Sequence, residues 1–330
     1  MASVKNVPAV LQVGAGRWGT NHLRVLLRLR DEGLLRLVGV QESDPARRKA
    51  LESEFGVKTF ADDSGLKEAD AVDIVVPTYS HYEHAKKALL ADKHVMVEKP
   101  LAETSAQGLE LAALAKKSGK TALVGHIFRH NPAADLARKM IADREIGRVR
   151  FMRGRFMGFR YQEHDAGILI TTAIHFLYLS DFFHGRPTQA VRARTFHTLG
   201  TPLDDVCAVH LEYGDAFTFV ESDYFTPGKW RTFDIIGTQG ALFVDLLKQT
   251  VSVHRKYHVR GQDRFEAYDG GVIENPLKFQ EPLELELRHF LACVRGEAKP
   301  LTNFEDGVTV LKTIEAAYQS AKTDRTVPVV

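Results

Sequence analysis

The stretch Ala9-Val10-Leu11-Gln12-Val13-Gly14-Ala15-Gly16-Arg17-Trp18-Gly19 decides the fold. Its first five residues read as a buried strand, and an amphipathic helical pattern opens after the glycines, over about residues 18–32. Each glycine has its own physical job. Gly14 permits a tight turn out of the strand, Gly16 lets backbone approach a pyrophosphate, and Gly19 lets the helix pack close to the sheet. Phosphates at such a turn meet the N–H groups of a helix start, where the macrodipole is positive. Gly-x-Gly-x-x-Gly alone is weak evidence, but here it follows a strand, opens a helix and sits in a β-α-β unit. The stretch predicts a dinucleotide site; the bland alternative is a structural strand-to-helix turn.

Working outward, residues 9 to 124 alternate between short apolar runs and amphipathic stretches. Strands are predicted at 9–13, 35–40, 72–76, 94–97 and 121–124, with helices at about 18–32, 45–55, 80–91 and 103–118. That rhythm predicts a parallel sheet covered by helices. Asp44-Pro45 reads as an N-cap followed by proline at the first helical position, and Ser80 and Thr104 are further cap candidates. An acid at the end of the second strand can hold both ribose hydroxyls of NAD and repel a 2′-phosphate. Glu42 fits that role, Asp44 is its rival, and a solvated loop acid is the alternative.

The second informative stretch is His94-Val95-Met96-Val97-Glu98-Lys99-Pro100. Pro100 biases Lys99 toward extended backbone, at the carboxyl end of a strand, where open α/β sheets bind ligands. An ammonium there can orient a hydroxyl or carbonyl oxygen and exchange a proton with it. Position alone does not separate that role from a surface lysine in a turn.

After about Val124 the pattern changes. A helix is predicted at 132–141, then strands at 148–160, 188–198, 205–213, 215–226, 230–237 and 241–245, interrupted by one apolar helix over 167–183. Tyr213-Gly214-Asp215 reads as a hairpin turn. Residues 258–280 are the least patterned and are expected to form a long loop with short strands. Two helices, 281–296 and 304–322, and a short strand at 327–330 close the chain. Two domains are expected, 1–124 for the dinucleotide and 125–330 for substrate and oligomerisation. The 330 residues carry 44 basic and 42 acidic side chains, a net charge of +2, which argues against nucleic acid or an anionic membrane as partner. Two cysteines, Cys207 and Cys293, argue against a disulfide framework or a cysteine zinc site, and for the cytoplasm. Met1 to Pro8 lacks a signal-peptide core, no apolar run is long enough for a membrane span, and no metal site is expected.

Together these stretches resemble the Gfo/Idh/MocA family of NAD(P)-dependent oxidoreductases. The resemblance extends over Pro77-Thr78-Tyr79-Ser80-His81-Tyr82, and over Asp92 to Leu101, where many members have glycine in place of Asp92. It continues through Gly125-His126-Ile127-Phe128-Arg129-His130-Asn131-Pro132, Gly237-Thr238-Gln239-Gly240 and Glu315 to Ala321. It implies an N-terminal Rossmann domain, a C-terminal α/β domain with an open-faced, mostly antiparallel sheet, and a homodimer or homotetramer. It further implies that Lys99 and His175 are catalytic. Cofactor contacts would come from Gly14, Gly16, Arg17, Trp18, Gly19, Glu42, Pro77, Thr78, His81 and Glu98, with NAD the expected cofactor and NADP the alternative. His126, Arg129, Asn131 and Thr171 would face substrate. Many members read Asp-x-x-x-His-x-x-Asp on the apolar helix, where this chain has Thr171, His175 and Tyr178. The i, i+4 spacing is expected to keep Thr171 on the His175 face, but a threonine is no carboxylate partner. The segment around His126 to Pro132 is closest to members acting on UDP-linked amino sugars at C3. The expected function is hydride exchange between a nicotinamide and a sugar, with a sugar nucleotide first and a free sugar or inositol as the alternative. A non-catalytic dinucleotide-binding regulator is the third reading, kept open by Thr171.

Overall fold

A computed structural model describes residues 7–160 and 166–330. Most of the N-terminal segment read above for a signal peptide, residues 1–6, thus lies outside the described residues. The chain forms two compact units, one from residues up to His126 with Leu283–Leu311, the other from Ile127–Pro282 with Lys312–Val330.

In the first unit, β1 (Ala9–Val13), β2 (Arg36–Gln41), β3 (Thr59–Phe60), β4 (Ala71–Ile74), β5 (His94–Glu98) and β6 (Ala122–Gly125) form a sheet in the order 3-2-1-4-5-6. Every pairing is parallel. The order reverses between β1 and β4, so their carboxyl ends flank the crevice where such sheets take ligands. β1 and β4 are buried along their whole length. Helices cover both faces of a parallel sheet, and this turns strands into continuous apolar runs. The five predicted strands are accordingly found, while two-residue β3 carries no such run and was missed. The helices α1 (Arg17–Asp31), α2 (Pro45–Phe55), α3 (His81–Leu90) and α4 (Ser105–Ser118) lie between the strands. Asp44 caps α2 by accepting from the Ala46 N–H, and Thr104 with Gln107 forms a reciprocal capping box on α4. Ser80 precedes α3 without a side-chain cap bond. On α1 the buried residues Gly19, His22, Leu23, Leu26 and Leu29 recur every three or four positions, so one stripe meets the sheet.

In the second unit the strands are β7 (Val149–Gly158), β8 (Ala190–Phe196), β9 (Val206–Glu212), β10 (Phe217–Asp223), β11 (Lys229–Gly237), β12 (Ala241–Asp245), β13 (Thr250–Arg260), β14 (Phe265–Pro276) and β15 (Val327–Pro328). They form one sheet in the order 14-13-12-11-7-10-9-8-15, antiparallel except for β7 beside β10. The expected hairpin at Gly214 joins β9 to β10, with Gly214 at φ 75°. The expectation for 258–280 needs correction. Most of these residues belong to a long hairpin, β13 paired with β14 from Thr250↔Pro276 to Arg260↔Phe265, with one shift of register between His254 and Lys256. β14 is an edge strand exposed along nearly its whole length. The period-2 apolar signature arises from burying one face, so a strand held by backbone pairing alone does not display it.

α5 (Pro132–Ala142) and α6 (Ile174–His184) pack on one face of this sheet. On β10 that face takes Thr218, Val220 and Ser222, whereas Phe219 on the other face is 41% exposed. The single helix predicted over 167–183 is two structures, a π turn at Leu169–Ala173 followed by α6. Its local causes are polar. Thr171 and Thr172 donate their hydroxyls back to the carbonyls of Gly167 and Ile168, and Asp204 accepts from the Leu169 N–H. Such back-bonding loosens an α-helical ladder.

The last two helices are α7 (Pro282–Val294) and α8 (Phe304–Thr323). Phe304, Val308 and Leu311 of α8 join the core of the first unit with Val97, Leu111 and Val124. Residues 302–303 lie along β6, where Thr302 accepts from the Val124 N–H and Leu123 bridges Asn303. An otherwise open edge of the parallel sheet is thereby covered. Cys207 and Cys293 are buried free thiols. Among the described residues no helix is long and apolar enough to cross a membrane.

Candidate active site

The glycine turn is built as its sequence suggests, with one division of labour visible only in space. Gly14 has φ 90°, and a Cβ there would lie 2.4 Å from the Val75 carbonyl oxygen. A Cβ at Gly19 would lie 2.5 Å from the Gly14 oxygen. Both glycines are therefore required by the protein itself. At Gly16 a Cβ meets nothing within 4 Å, so the protein gives no reason for glycine there. Gly16 is the N-cap of α1, no side chain caps the helix, and its first turn holds no acid. This is the arrangement that receives a phosphate on backbone N–H groups. Gln12, fully buried, donates to the carbonyls of Gly14 and Gly19 at 2.7 and 2.8 Å and holds the turn closed. The sequence reading missed it, because a polar residue within a buried strand was counted as part of an apolar run.

Glu42 accepts from the Ala15 N–H at 3.0 Å, which sets its carboxylate against the glycine turn. Asp44 is engaged as the α2 cap. Arg47 donates to the Ala15 carbonyl and the Thr20 hydroxyl, and Arg48 to the carbonyls of Glu42 and Ser43. Both guanidiniums that could have met a 2′-phosphate are thus tied to the loop. Arg17 is exposed at the start of α1, and Pro77 and Thr78 follow β4 in a short 3-10 turn. The residues fit a dinucleotide: open backbone donors for the phosphates, room at Gly16, and an acid at the end of β2.

At the end of β5 lies a buried ionic array that the sequence did not suggest. His22 on α1 reaches Asp73 of β4 at 2.9 Å through Nδ1 and Glu98 of β5 at 3.2 Å through Nε2. Trp18 Nε1 donates to the same Glu98 oxygen at 2.7 Å, and the Lys99 N–H donates to the other at 3.0 Å. Burial alone would push the His22 pKa down; the Asp73 carboxylate, with Glu98, outweighs it and raises the value to about 10. Burial likewise opposes the Glu98 carboxylate, but the bond to His22 and the charges of His22 and Lys99 hold it below its ordinary value. Fully buried Glu286 of α7 is pushed the other way, by burial and by the charge of Glu98. The half-buried Lys99 follows this array, and its peptide bond to Pro100 is cis.

Several residues expected to make contacts are engaged within the protein. His81 is 1% exposed, and its ring nitrogens lie 2.6 Å from the Pro100 oxygen and 2.9 Å from the Val76 oxygen. It braces the Lys99-Pro100 turn. Asn131 is fully buried, caps α5 through the Ala133 N–H and donates to the Leu246 carbonyl. Arg129 pairs with Asp135 at 2.6 Å and stacks over the Phe182 ring at 4.1 Å. His126 is 1% exposed, and burial pushes its pKa down to about 3. The polar group of each of these three is buried or engaged within its own unit.

In the second unit, His175 on α6 is 8% exposed. Its ring packs edge-on against Phe128 at 5.1 Å and lies parallel to Phe156 at 5.8 Å. Thr171 lies on the π turn, and its hydroxyl is 2.7 Å from the Tyr224 hydroxyl. The i, i+4 argument for Thr171 assumed an α-helix, and the π turn changes that relation. Thr172 meets the Ser222 hydroxyl at 2.5 Å. Thr171 and Tyr178 are the residues of this chain at the two positions where many family members have acids.

The N-terminal part of the chain, residues 9–126, matches the family model described as "Oxidoreductase family, NAD-binding Rossmann fold", and residues 138–329 match its "C-terminal alpha/beta domain". The chain belongs to the Gfo/Idh/MocA oxidoreductase family. Among curated relatives, scyllo-inositol 2-dehydrogenase (NAD(+)) of Bacillus subtilis is 27% identical over 93% of this chain and 92% of its own. UDP-N-acetylglucosamine 3-dehydrogenase of Acidithiobacillus ferrooxidans is 27% identical over 94% and 96%. Among solved structures, levoglucosan dehydrogenase in complex with NADH superposes with a TM-score of 0.84, covering 98% of this chain and 99% of that one at 21% identity. The family binds NAD on its Rossmann domain, and the first unit of this Gfo/Idh/MocA member has that fold.

Proposed function

We propose that the chain oxidises or reduces a hydroxyl-bearing carbon of a sugar or polyol, with Lys99 and His175 handling the proton. The reading rests above all on Lys99. It follows the carboxyl end of β5, with its own N–H on Glu98 and the adjoining Pro100 carbonyl on His81. A lysine so held is oriented before substrate arrives, which is what general acid–base catalysis requires. Gly16, Arg17 and the first N–H groups of α1 would hold the cofactor phosphates, Glu42 the adenosine ribose, and the partly exposed Trp18 would line the cofactor. The bound nicotinamide supplies the two-electron redox chemistry. Lys99 donates to the substrate oxygen and takes or returns its proton, and His175 assists. Relatives named for inositol, for a glucoside and for a UDP-sugar support a substrate of this general class. The sugar nucleotide, the first expectation from the sequence, drew on His126, Arg129 and Asn131; Arg129 and Asn131 are engaged internally and His126 is buried, which supports a sugar-sized substrate instead. A homodimer through the open sheet face, where Phe219, Trp230 and Phe243 are exposed, and a cytoplasmic setting belong to the same proposal. Incubating the protein with NAD and a panel of sugars and polyols should produce NADH absorbance with at least one of them. Tight NAD binding with no turnover across the panel would overturn the reading.

A further inference from the structure

Two arginines of the second unit converge on the ring that carries His175. Phe156 of β7 is directly paired with Arg231 of β11 on one side and Ser222 of β10 on the other. Directly paired residues project to the same face of a sheet. Here that face carries the π turn and α6, since Ser222 bonds Thr172 and Phe156 stacks on His175. The Arg231 guanidinium lies 3.4 Å from the centroid of Phe156. Arg160, two residues beyond the end of β7, reaches the same ring at 5.5 Å and the Tyr224 ring at 4.9 Å. Arg160 shares the Phe156 ring with Arg231 and also meets Tyr224, whose hydroxyl bonds Thr171, while His175 stacks on Phe156, so both guanidiniums border one corner with these residues.

Among the described residues, the charge in this corner is unbalanced. Arg231 is 9% exposed, and one of its terminal nitrogens donates to the carbonyls of Met157 and Trp230, each at 2.7 Å. Neither carbonyl is a counter-charge. Burial pushes its pKa down to about 9, and the charge beside it is another cation, Arg160. The described acids of the region, Asp204 and Asp223, are turned elsewhere. Asp204 accepts from the Leu169 N–H and the Tyr318 hydroxyl, and Asp223 from the backbone of Phe225 and Thr226. A buried guanidinium is costly to desolvate without an anion. Stacking on Phe156 holds its planar fork in place, ready for two parallel bonds to a carboxylate or phosphate. Neutral Thr171 fits the same picture, because an acid there would compete for these cations.

We propose that Arg160 and Arg231 bind the anionic group, a carboxylate or a phosphate, of a sugar acid or sugar phosphate whose hydroxyl is the reacting group. The proposal rests on the dehydrogenase reading above and names its substrate class. The guanidinium pair recognises the charge, while Thr171 and Tyr224 supply neutral hydroxyls beside it.

The test titrates D-glucuronate, D-glucose 6-phosphate and D-glucose into the NAD-saturated full-length protein by calorimetry, with steady-state turnover measured on the same three. At least one anion should bind about tenfold or more tighter than glucose, since bonds to a charged group are worth about 1.5–3 kcal/mol. Glucuronate against glucose 6-phosphate separates a carboxylate from a phosphate site. Arg160→Met should weaken anion binding about 10- to 100-fold with NAD affinity unchanged, and Arg160→Lys should recover part of the loss. Raising ionic strength should weaken the anion and leave glucose alone. Glucose binding as well as both anions, no anion binding, or an Arg160→Met protein that binds anions normally would each overturn the proposal. Turnover of glucose with the anions excluded overturns it while keeping the dehydrogenase reading. Arg160-dependent anion binding with no turnover of any sugar does the reverse.

Discussion

Beneath the glycine turn of the first unit, His22 is clamped between the carboxylates of Asp73 and Glu98; in the second unit, His175 lies among rings and hydroxyls with two guanidiniums close by. The first histidine belongs to an array in which each charge answers another, and its product is position: it holds Trp18 and the backbone of Lys99. The second stands where, among the described residues, Arg160 and Arg231 face rings and carbonyls rather than acids. Charges closed on themselves set geometry, and charges left open await a ligand. The contrast matches what each unit faces, a cofactor common to the family on one side and a variable substrate on the other.

The sharpest way to break the comparison is to remove the lysine that the closed array holds. Lys99→Ala should lower turnover about 10²- to 10⁴-fold with NAD affinity nearly unchanged, measured by steady-state kinetics and cofactor titration. His175→Asn should cost less, because Thr171 puts a neutral hydroxyl where many family members carry an acid. Equal losses in the two variants would dissolve the distinction between the units.

Next in size is the clamp itself. His22→Leu leaves two buried carboxylates facing each other, and removing one partner of a buried pair costs about 3–5 kcal/mol. Denaturant unfolding of the two proteins at pH 7 reads this directly. The sign with pH follows from linkage. His22 has a folded pKa near 10, above its unfolded value, so its contribution is full below about pH 6.5 and is lost as pH rises toward 10. His126 runs the other way. With a folded pKa near 3 it contributes above its unfolded value, and stability falls as pH drops from about 6.5 toward 3. Stability measured across pH should decline on both sides of neutrality, and a His126→Gln protein should lose mainly the acid-side decline.

A smaller effect tests the acid at the cofactor end of the first unit. Glu42→Ala should narrow the preference for NAD over NADP by about tenfold, because a like charge near the 2′-phosphate is removed. Unchanged selectivity in paired titrations would move the assignment elsewhere. The smallest effect is at Asp92, which has φ 62° and pairs with Lys120 at 2.8 Å. Glycine tolerates that backbone freely, and the exposed ion pair lost with the aspartate is worth little. Asp92→Gly should stabilise by up to about 1 kcal/mol in thermal unfolding.

How much of this was legible in the sequence depended on distance along the chain. Gly14, Gly16 and Gly19, or Glu98 with Lys99 and Pro100, are local patterns whose geometry follows from neighbouring residues. The Asp73–His22–Glu98 array joins residues 51 and 76 positions apart, and in sequence His22 is simply one residue of an amphipathic helix. The Arg231–Phe156 pair exists only through the register of β11 on β7. At His126, Arg129 and Asn131 the motif itself was plain, but whether a polar side chain turns to a ligand or to its own backbone is set by tertiary packing. The fold class was legible almost throughout, because burial writes a period into the strands and helices it covers. It failed where burial is absent, at β14, and where hydroxyls compete with the helical ladder, at Leu169–Ala173.

That turn has a consequence for how the chain tolerates changes in length. A π turn carries one residue more than an α-turn needs. Deleting a single codon, for instance that of Ile170, would let the segment rewind as α-helix. The chain on either side would keep its direction, because the wider turn had absorbed the extra residue, and only the residues within it would change face. Thr171 and Thr172 could no longer meet Tyr224 and Ser222 while His175 keeps its place on Phe156. The helix thus works as a vernier. One codon gained or lost there re-aims the hydroxyls beside the histidine without touching the sheet beneath.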